Sequence, residues 1–400
     1  MSERLRIVVG GYIGLLPAAG VTWDYVQYPA GFAGLGHDVF YVEDTRLWPI
    51  YQPAGSDWGD CLATVSHLAS VMEAFGLSGR WAYRDEASGR CFGLSEEQLR
   101  GVCRSADAFV NISCSTFMRD EYRAIPARAL VDTDPMFTQI QAVSQQMFTP
   151  GSPGLRELVE AHNHFFTFGE SVGRPECLMP GHGIAWRPTR QPIRLDLWKP
   201  MEPVHDRGDR AGSAYTTLMN WTAAKPLEHA GTTWGQKDVE FRRFFELPSA
   251  VPEIPLAVAV GQTGGAGQPF PESEARAAGW RVLDPQVCAP DCDGYQEFIA
   301  GSLGELSVAK ETYVKARTGW FSCRSACYLA SGRPVVTQDT GWPAHLPEGR
   351  GLLAFDTLEG AADALRRIEK DPAAHARAAR EVAEEFFDSR RVLARMLEEM

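Results

Sequence analysis

The stretch Gly304–Trp342, GELSVAKETYVKARTGWFSCRSACYLASGRPVVTQDTGW, leaves a chain few ways to fold. Ser322, Arg324 and Ser325 stand at the head of an apolar helical run over 325–330. The run stops at Gly332 and Pro334, because glycine accepts the left-handed turn that ends a helix and proline cannot continue one. Pro334-Val335-Val336-Thr337 then reads as a short buried strand, and Gln338-Asp339-Thr340-Gly341 as a polar loop. Helix, glycine stop, strand and polar loop make one step of a Rossmann-like sheet. Hydroxyls and backbone N–H groups at a helix start suit a phosphate, and Lys310, Arg317 and Arg324 bring positive charge to it. A plain αβ step with solvated cations has the same pattern, so the residues alone leave both readings open.

The same step recurs along the chain. Residues 6–9 form a buried strand that breaks at Gly10-Gly11, a helix runs over 21–35 with Pro29 inside it, and 37–42 is a second strand ending at Glu43-Asp44. Glycines at the first strand-to-helix turn mark the ligand crevice of a doubly wound sheet, but G-x-G-x-x-G is absent and nothing points to NAD. Helices are expected over 62–75, 95–103 and 155–161, and strands over 108–112, 128–131 and 164–168, with 83–93 as a surface excursion. Residues 186–210, rich in Pro, Arg and Asp, read as a last strand and an interdomain linker. A second series follows, with strands over 215–219, 256–260, 280–283 and 351–355 and helices over 239–247, 295–302 and 358–369. The glycine-rich loop after residue 260 lacks the Lys-Ser/Thr ending of a P-loop. Residues 372–400 are helical with a break near Asp388-Ser389.

Length and charge bound the function. At 400 residues the chain is long enough for two domains. A net charge of −12 disfavours general nucleic-acid binding, which needs a surplus of Lys and Arg, yet permits a small anionic ligand held by local cations. No window is apolar enough for a membrane span, and the start MSERLRIVVGG has no signal-peptide pattern, so the expected location is cytoplasmic. Nine scattered cysteines argue against a disulfide framework. The pairs Cys288/Cys292 and Cys323/Cys327 share a spacing of four but lack the C-x-x-C form of a zinc site.

Two Rossmann-like halves, the opening Gly10-Gly11 with Gly36-His37-Asp38-Val39, the step Gly332-Arg333-Pro334-Val335-Val336 and the tail Phe386-Phe387-Asp388-Ser389-Arg390-Arg391 resemble the GT-B glycosyltransferases. The resemblance implies an α/β chain of two Rossmann-like domains facing a cleft. An acceptor domain would span 1–200, a nucleotide-sugar donor domain 201–380, and a helix over 381–400 would cross back to the first. It implies transfer of a hexosyl or deoxyhexosyl group from a UDP-, TDP- or GDP-sugar to a hydroxyl or other nucleophile of a small-molecule or glycan acceptor. No cofactor, metal, nucleic acid or membrane span is expected, and the chain could be a monomer or a dimer.

Departing diphosphate develops negative charge, which preorganised cations and helix N-termini stabilise. Lys310, Arg317, Ser322, Arg324 and Ser325 are the expected diphosphate grip. Asn220 and Trp221 would contact base or ribose, and Gln338, Asp339 and Thr340 the donor sugar. An inverting reaction needs a base, for which Asp132, Asp134, Glu170 and Asp24 are the candidates. Asp132 and Asp134 equally suit turn-making before Pro135, and Glu170 could pair with an arginine. Gln236, Lys237 and Asp238 could line the cleft or simply start a helix, and His162, His164 and His182 fit structural roles. Tyr12, Trp23, Tyr25, Tyr28, Trp48 and Tyr51 would suit an aromatic or carbohydrate acceptor, though such residues commonly form core. The Glu-x7-Glu pair of retaining members is absent, with Gly319 and Cys327 in its place, and so is the plant-type inverting signature. A nucleotide-sugar epimerase and a non-enzymatic two-domain binding protein are the alternatives on the same architecture.

Overall fold

The computed structural model describes residues 4–47, 60–144, 154, 157, 160–200, 214–222, 225–261 and 268–400. Two compact units emerge. The first comprises Met1–Phe168, Gly181–Arg194 and Ser389–Met400, and the second Gly169–Pro180 and Leu195–Asp388. Trp48, Tyr51, residues 201–210, the glycine-rich loop over 262–267 and most of the helix expected over 155–161 lie outside the described residues.

The first unit is an eight-stranded sheet. In chain order its strands are β1 (Arg6–Gly10), β2 (Asp38–Glu43), β3 (Trp81–Asp85), β4 (Arg90–Gly93), β5 (Ala108–Ile112), β6 (Ala127–Asp132), β7 (His164–Thr167) and β8 (Arg187–Pro188). Their spatial order is β4-β3-β2-β1-β5-β6-β7-β8, and only β3 and β4 run antiparallel. The excursion expected over 83–93 is thus corrected to a hairpin. Its charged residues hid a strand whose every position is buried, among them Arg84 and Asp85. β5 is likewise buried throughout, the continuous apolar run expected of a parallel strand covered on both faces. The helix Glu96–Arg104 begins at a capping box in which Ser95 and Gln98 satisfy each other's backbone N–H.

The helix Ser389–Glu398 returns to the first unit and packs on Ala19–Gly34. Gly31 admits it: a Cβ there would sit 2.5 Å from Leu393 Cδ1. Ser389 N–H donates to the Ile193 carbonyl at 2.9 Å, which fixes the start of the returning segment.

The second unit carries β9 (Tyr215–Asn220), β12 (Leu256–Gly261), β13 (Arg281–Leu283), β14 (Gly304–Ser307), β15 (Val335–Gln338) and β16 (Leu352–Phe355), all parallel, in the order β13-β12-β9-β14-β15-β16. A small hairpin, β10 (Leu227–His229) with β11 (Thr232–Trp234), stands outside that sheet. Sequence reading missed this hairpin, β14 and the helix Glu311–Ala316. β14 escaped because Glu305 interrupts its apolar run, although that carboxylate is fully buried. The helix beyond it starts at Cys323, two residues before the apolar run. Its core gathers Phe241, Phe244, Trp221, Phe270 and Trp280 against Val258, Leu306 and Val336.

Both sheets share one logic. In the first, later strands lie on the far side of β1, and in the second β9 separates β12 and β13 from β14, β15 and β16. Each has a switch point where neighbouring crossovers leave in opposite directions, at β1/β5 and at β9/β14. Open α/β sheets bind ligands outside the carboxyl ends of the strands at such points.

Candidate functional site

At the carboxyl ends of β9 and β14 the two strands diverge. They pair only at Gly304↔Tyr215 and Glu305↔Thr216. Arg324, in the first turn of the helix Cys323–Ala330, fills the gap. Its guanidinium donates to Glu305 Oε1 at 2.5 Å, to the Leu218 carbonyl at 2.5 Å and to Ser307 Oγ at 2.8 Å. Glu305 is 0% exposed and the Arg324 side chain 12%. The expectation that Arg324 faces an external diphosphate is therefore corrected: its partner is a buried carboxylate of its own sheet, with a carbonyl of β9 that the diverging strands leave unpaired.

A different cation lies buried without a pairing carboxylate among the described residues. Lys237 opens the short helix Lys237–Arg242 and is 9% exposed. Its ammonium has no hydrogen-bond or ion-pair partner among the described residues. Burial drives its pKa well below the usual lysine range, and the charges of Arg324 and Lys310 push the same way against Glu305. Beside it in sequence, Gln236 is 2% exposed and its side-chain N–H groups also lack a partner. Buried donors without acceptors cost free energy. A partnerless ammonium beside a buried unpartnered amide, with Lys310 and Arg324 in electrostatic range of the lysine, suits an anion.

Lys310 precedes the helix Glu311–Ala316, and its Nζ donates to Tyr313 Oη at 3.2 Å, with Tyr313 stacked on Trp320 at 4.3 Å. Arg317 ends that helix in a left-handed conformation (φ 48°) and donates to Asp339 Oδ2 at 3.0 Å. Asp339 Oδ1 in turn accepts the Gly341 N–H. This pair stays half open to solvent, with the Arg317 side chain 42% exposed.

The other expected donor contacts divide. Asn220 is exposed at the end of β9. Trp221 is corrected from ligand contact to core: it packs edge-on against Phe270 at 5.0 Å and Phe241 at 6.0 Å. Gln338 is committed, accepting from Ala309 N–H and donating to Glu240 Oε2. Thr340 is 1% exposed and donates to the Trp320 carbonyl. Ser322 precedes the helix but caps nothing, and Ser325 is fully buried with an unpartnered Oγ. Both hydroxyls are buried, Ser322 at 8% and Ser325 at 0% exposure.

The structure also gives a physical reason for the missing glutamates. Gly319 has φ +78°, and a Cβ there would lie 2.8 Å from both Ser171 N and Ser171 Oγ. Cys327 is 0% exposed within the helix core. A side chain at Gly319 would clash with Ser171, and a carboxylate at position 327 would be buried in the core.

In the first unit, Gly10 and Gly11 follow the expectation of close approach, but the protein itself is what approaches. A Cβ on Gly10 would fall 2.0 Å from Thr116 Oγ1, and one on Gly11 2.7 Å from Tyr25 and from Tyr41 Oη. They do not form an open ligand cradle. Below them Glu43, fully buried, accepts the Gly14 N–H at 2.8 Å and the Leu15 N–H at 2.5 Å. Burial pushes its pKa up to about 7, against the pull of those donors and of Tyr41.

Glu43 carries a pH prediction. Between the unfolded value of 4.5 and about 7 the folded state holds a proton that the unfolded state has lost, so stability falls as pH rises through that window. The expected loss is on the order of 3 kcal/mol. Urea titrations at several pH values should show this slope in the wild type and not in Glu43→Gln. Equal slopes would remove Glu43 as its source.

The candidate bases also separate. Asp132 is fully buried and accepts from Thr138, Gln139 and Thr167 side chains and from Asp134 N–H, at 2.6, 2.8, 2.8 and 3.1 Å. Burial raises its pKa despite these donors. It ties the ends of β6 and β7 together and is corrected from base to turn-maker. Asp134 is half-buried, and its charge reaches Tyr12 and Tyr25, which pack edge to face at 5.7 Å. Asp24 is exposed on the first helix, and Glu170 lies in the segment that belongs to the second unit. Trp23, Tyr25 and Tyr28 are core. Among the described residues no group of three or more His, Cys, Asp and Glu side chains is placed to hold a metal ion, and no helix is long and apolar enough to cross a membrane.

No family model matches the chain, and no curated protein matches it in sequence. Solved structures match along its whole length. An alpha-glucosyltransferase in complex with UDP and a 13-mer DNA superposes with a TM-score of 0.58 at 13% identity, covering 98% of this chain and 99% of the other. HepE of Anabaena, in complex with UDP-glucose, gives 0.55 at 10% identity over 99% and 100%. Sucrose-phosphate synthase from Thermosynechococcus elongatus gives 0.51 at 13% over 99% and 98%. The chain has the GT-B fold of these glycosyltransferases.

Proposed function

We propose that the chain is a glycosyltransferase whose second unit holds a nucleoside diphosphate sugar and whose first unit holds the acceptor. The observation that carries this reading is the buried Lys237, without a hydrogen-bond or ion-pair partner among the described residues and in electrostatic range of Arg324 and Glu305 where β9 and β14 diverge. The fold supports it, since the similar structures named above include ones bound to UDP and to UDP-glucose.

In this reading the diphosphate lies against Lys237 and Lys310, with the Gln236 amide as a further donor. As the bond from sugar to diphosphate breaks, negative charge grows on the leaving oxygen. Preorganised donors in a dry site stabilise that charge without reorganisation, each worth about 2.7–4 kcal/mol of barrier. Asp339, held by Arg317, is the carboxylate available to donor-sugar hydroxyls where the glutamate pair is missing. Asp134 is the first-unit carboxylate retained as candidate base. The two lysines would do the work of a metal ion, so transfer is expected to survive a chelator.

UDP, TDP and GDP should be compared by thermal unfolding. At a hundredfold excess over its Kd the right nucleotide adds about 2.7 kcal/mol of stability. A UDP-sugar with a panel of acceptors then reads transfer by mass. No stabilisation by any of the three nucleotides would sink the reading. An isomerised sugar formed without acceptor would replace it with an epimerase.

A further inference from the structure

The first unit contains a cavity of about 730 Å³, well away in sequence from Lys237 and lined by Arg46, Arg84, Arg90, Arg100, Arg119 and Arg123 around Phe117. Its volume is that of a small-molecule pocket. Three of the arginines are fixed from below. Asp44, 1% exposed, accepts from Arg84 at 3.0 Å and from Arg119 at 2.6 and 2.9 Å. Arg84 also grips Glu96 and Glu121, Arg119 grips Glu86, and Arg100 grips Glu96.

The other three are differently placed. Arg90 is exposed and makes no ion pair among the described residues, lying over the Phe92 ring at 4.5 Å. Arg123 gives Nε to the Met118 carbonyl at 2.8 Å, and its terminal nitrogens meet no carboxylate among the described residues. Arg46 lies over Phe117 with its guanidinium carbon 3.4 Å from the ring centre and only distantly meets Glu86 at 3.7 Å. Its backbone is left-handed (φ 56°), a costly choice for a side chain of that size.

With Asp44 included, the charges around the cavity roughly balance, so excess charge is not its mark. Its mark is an uneven distribution. Carboxylates are engaged by Arg84, Arg100 and Arg119, whereas the guanidinium donors of Arg90 and Arg123 stand open on the same space. Planar donor forks suit the oxygens of phosphate and carboxylate. Exposed oxygens of Asp120 and Glu86 on the same wall can accept from sugar hydroxyls.

We propose that this cavity binds a sugar carrying an anionic group, phosphate or carboxylate, with the anion at Arg90 and Arg123. That the sugar is the acceptor rests on the glycosyltransferase reading; that the cavity binds it does not.

The test is calorimetric titration of the full chain, without nucleotide, with glucose 6-phosphate, glucuronate, glucose and a short single-stranded oligonucleotide. Binding of the phosphate or of the carboxylate compound identifies the source of the anion. The double variant Arg90→Ala/Arg123→Ala should weaken that binding at least about tenfold, while its stability falls by no more than about 2 kcal/mol, since only the Arg123 bond to Met118 and the Arg90 contact with Phe92 are lost. Glucose binding as tightly as the anionic sugars, no binding by either anionic sugar, unchanged binding in the double variant, or binding of the oligonucleotide alone each overturns the proposal. A positive result alongside failed nucleotide stabilisation would leave the cavity standing and the transferase reading refuted.

Discussion

Arg324→Met is expected to destabilise the second unit by about 3–5 kcal/mol, because it strands the Glu305 carboxylate inside the sheet. Glu305 Oε2 has no hydrogen-bond partner among the described residues, so removal of the guanidinium leaves a fully buried carboxylate with Lys237 only in electrostatic range and no cation hydrogen-bonded to it. The Leu218 carbonyl also loses its donor where β9 and β14 separate. Urea unfolding should show an early transition. The double variant Glu305→Gln/Arg324→Met should recover much of the loss, since replacing both members of a buried pair costs far less than removing one. A single variant as stable as the wild type, altered only in nucleotide response, would return Arg324 to the ligand.

Lys237→Met should behave in the opposite sense. With no hydrogen-bond or ion-pair partner among the described residues to lose, and burial outweighing the pull of the Glu305 charge, the ligand-free variant should be at least as stable as the wild type. Nucleotide binding should weaken by about 2–5 kcal/mol, a roughly 30- to 4,000-fold rise in Kd, when a buried cation facing diphosphate is removed. The pH dependence offers an independent reading. The folded pKa of Lys237 lies below the unfolded 10.5, so between those values the unfolded state binds the extra proton and wild-type stability rises with pH. Lys237→Met should lack that rise. Gain of stability with loss of binding is the signature of a site that holds strain for function. A variant that loses stability and keeps its nucleotide affinity would make Lys237 structural.

These two residues show what could be read early. Both are cations near a helix start, and only Arg324 stood in a motif that drew attention. Glu305, nineteen residues away on an unrecognised strand, decides that its charge is used up internally. Lys237 reads from the sequence as a cleft residue or a helix start, and no motif around it chooses between the two. The signal that could have raised it was its position just after the second series opens, where a hairpin returns the chain to the strand ends. Asp132 fell to the same cause as Arg324, since its donors Gln139 and Thr167 come from a helix and a neighbouring strand. Trp221 looked like a ligand contact because it follows a strand, and its burial depends on Phe241 and Phe270.

What the sequence determined by itself was the succession of buried strands and amphipathic helices, the stop at Gly332-Pro334, the break near Ser389 and so the doubly wound class. Those signals are local: backbone preference and apolar period act over one or two turns of chain. Only the tertiary structure decided strand order, the switch point at β9/β14 and which charges face inward. A charge's role depends on what desolvates it and what pairs with it, and both are supplied by residues far away in the chain.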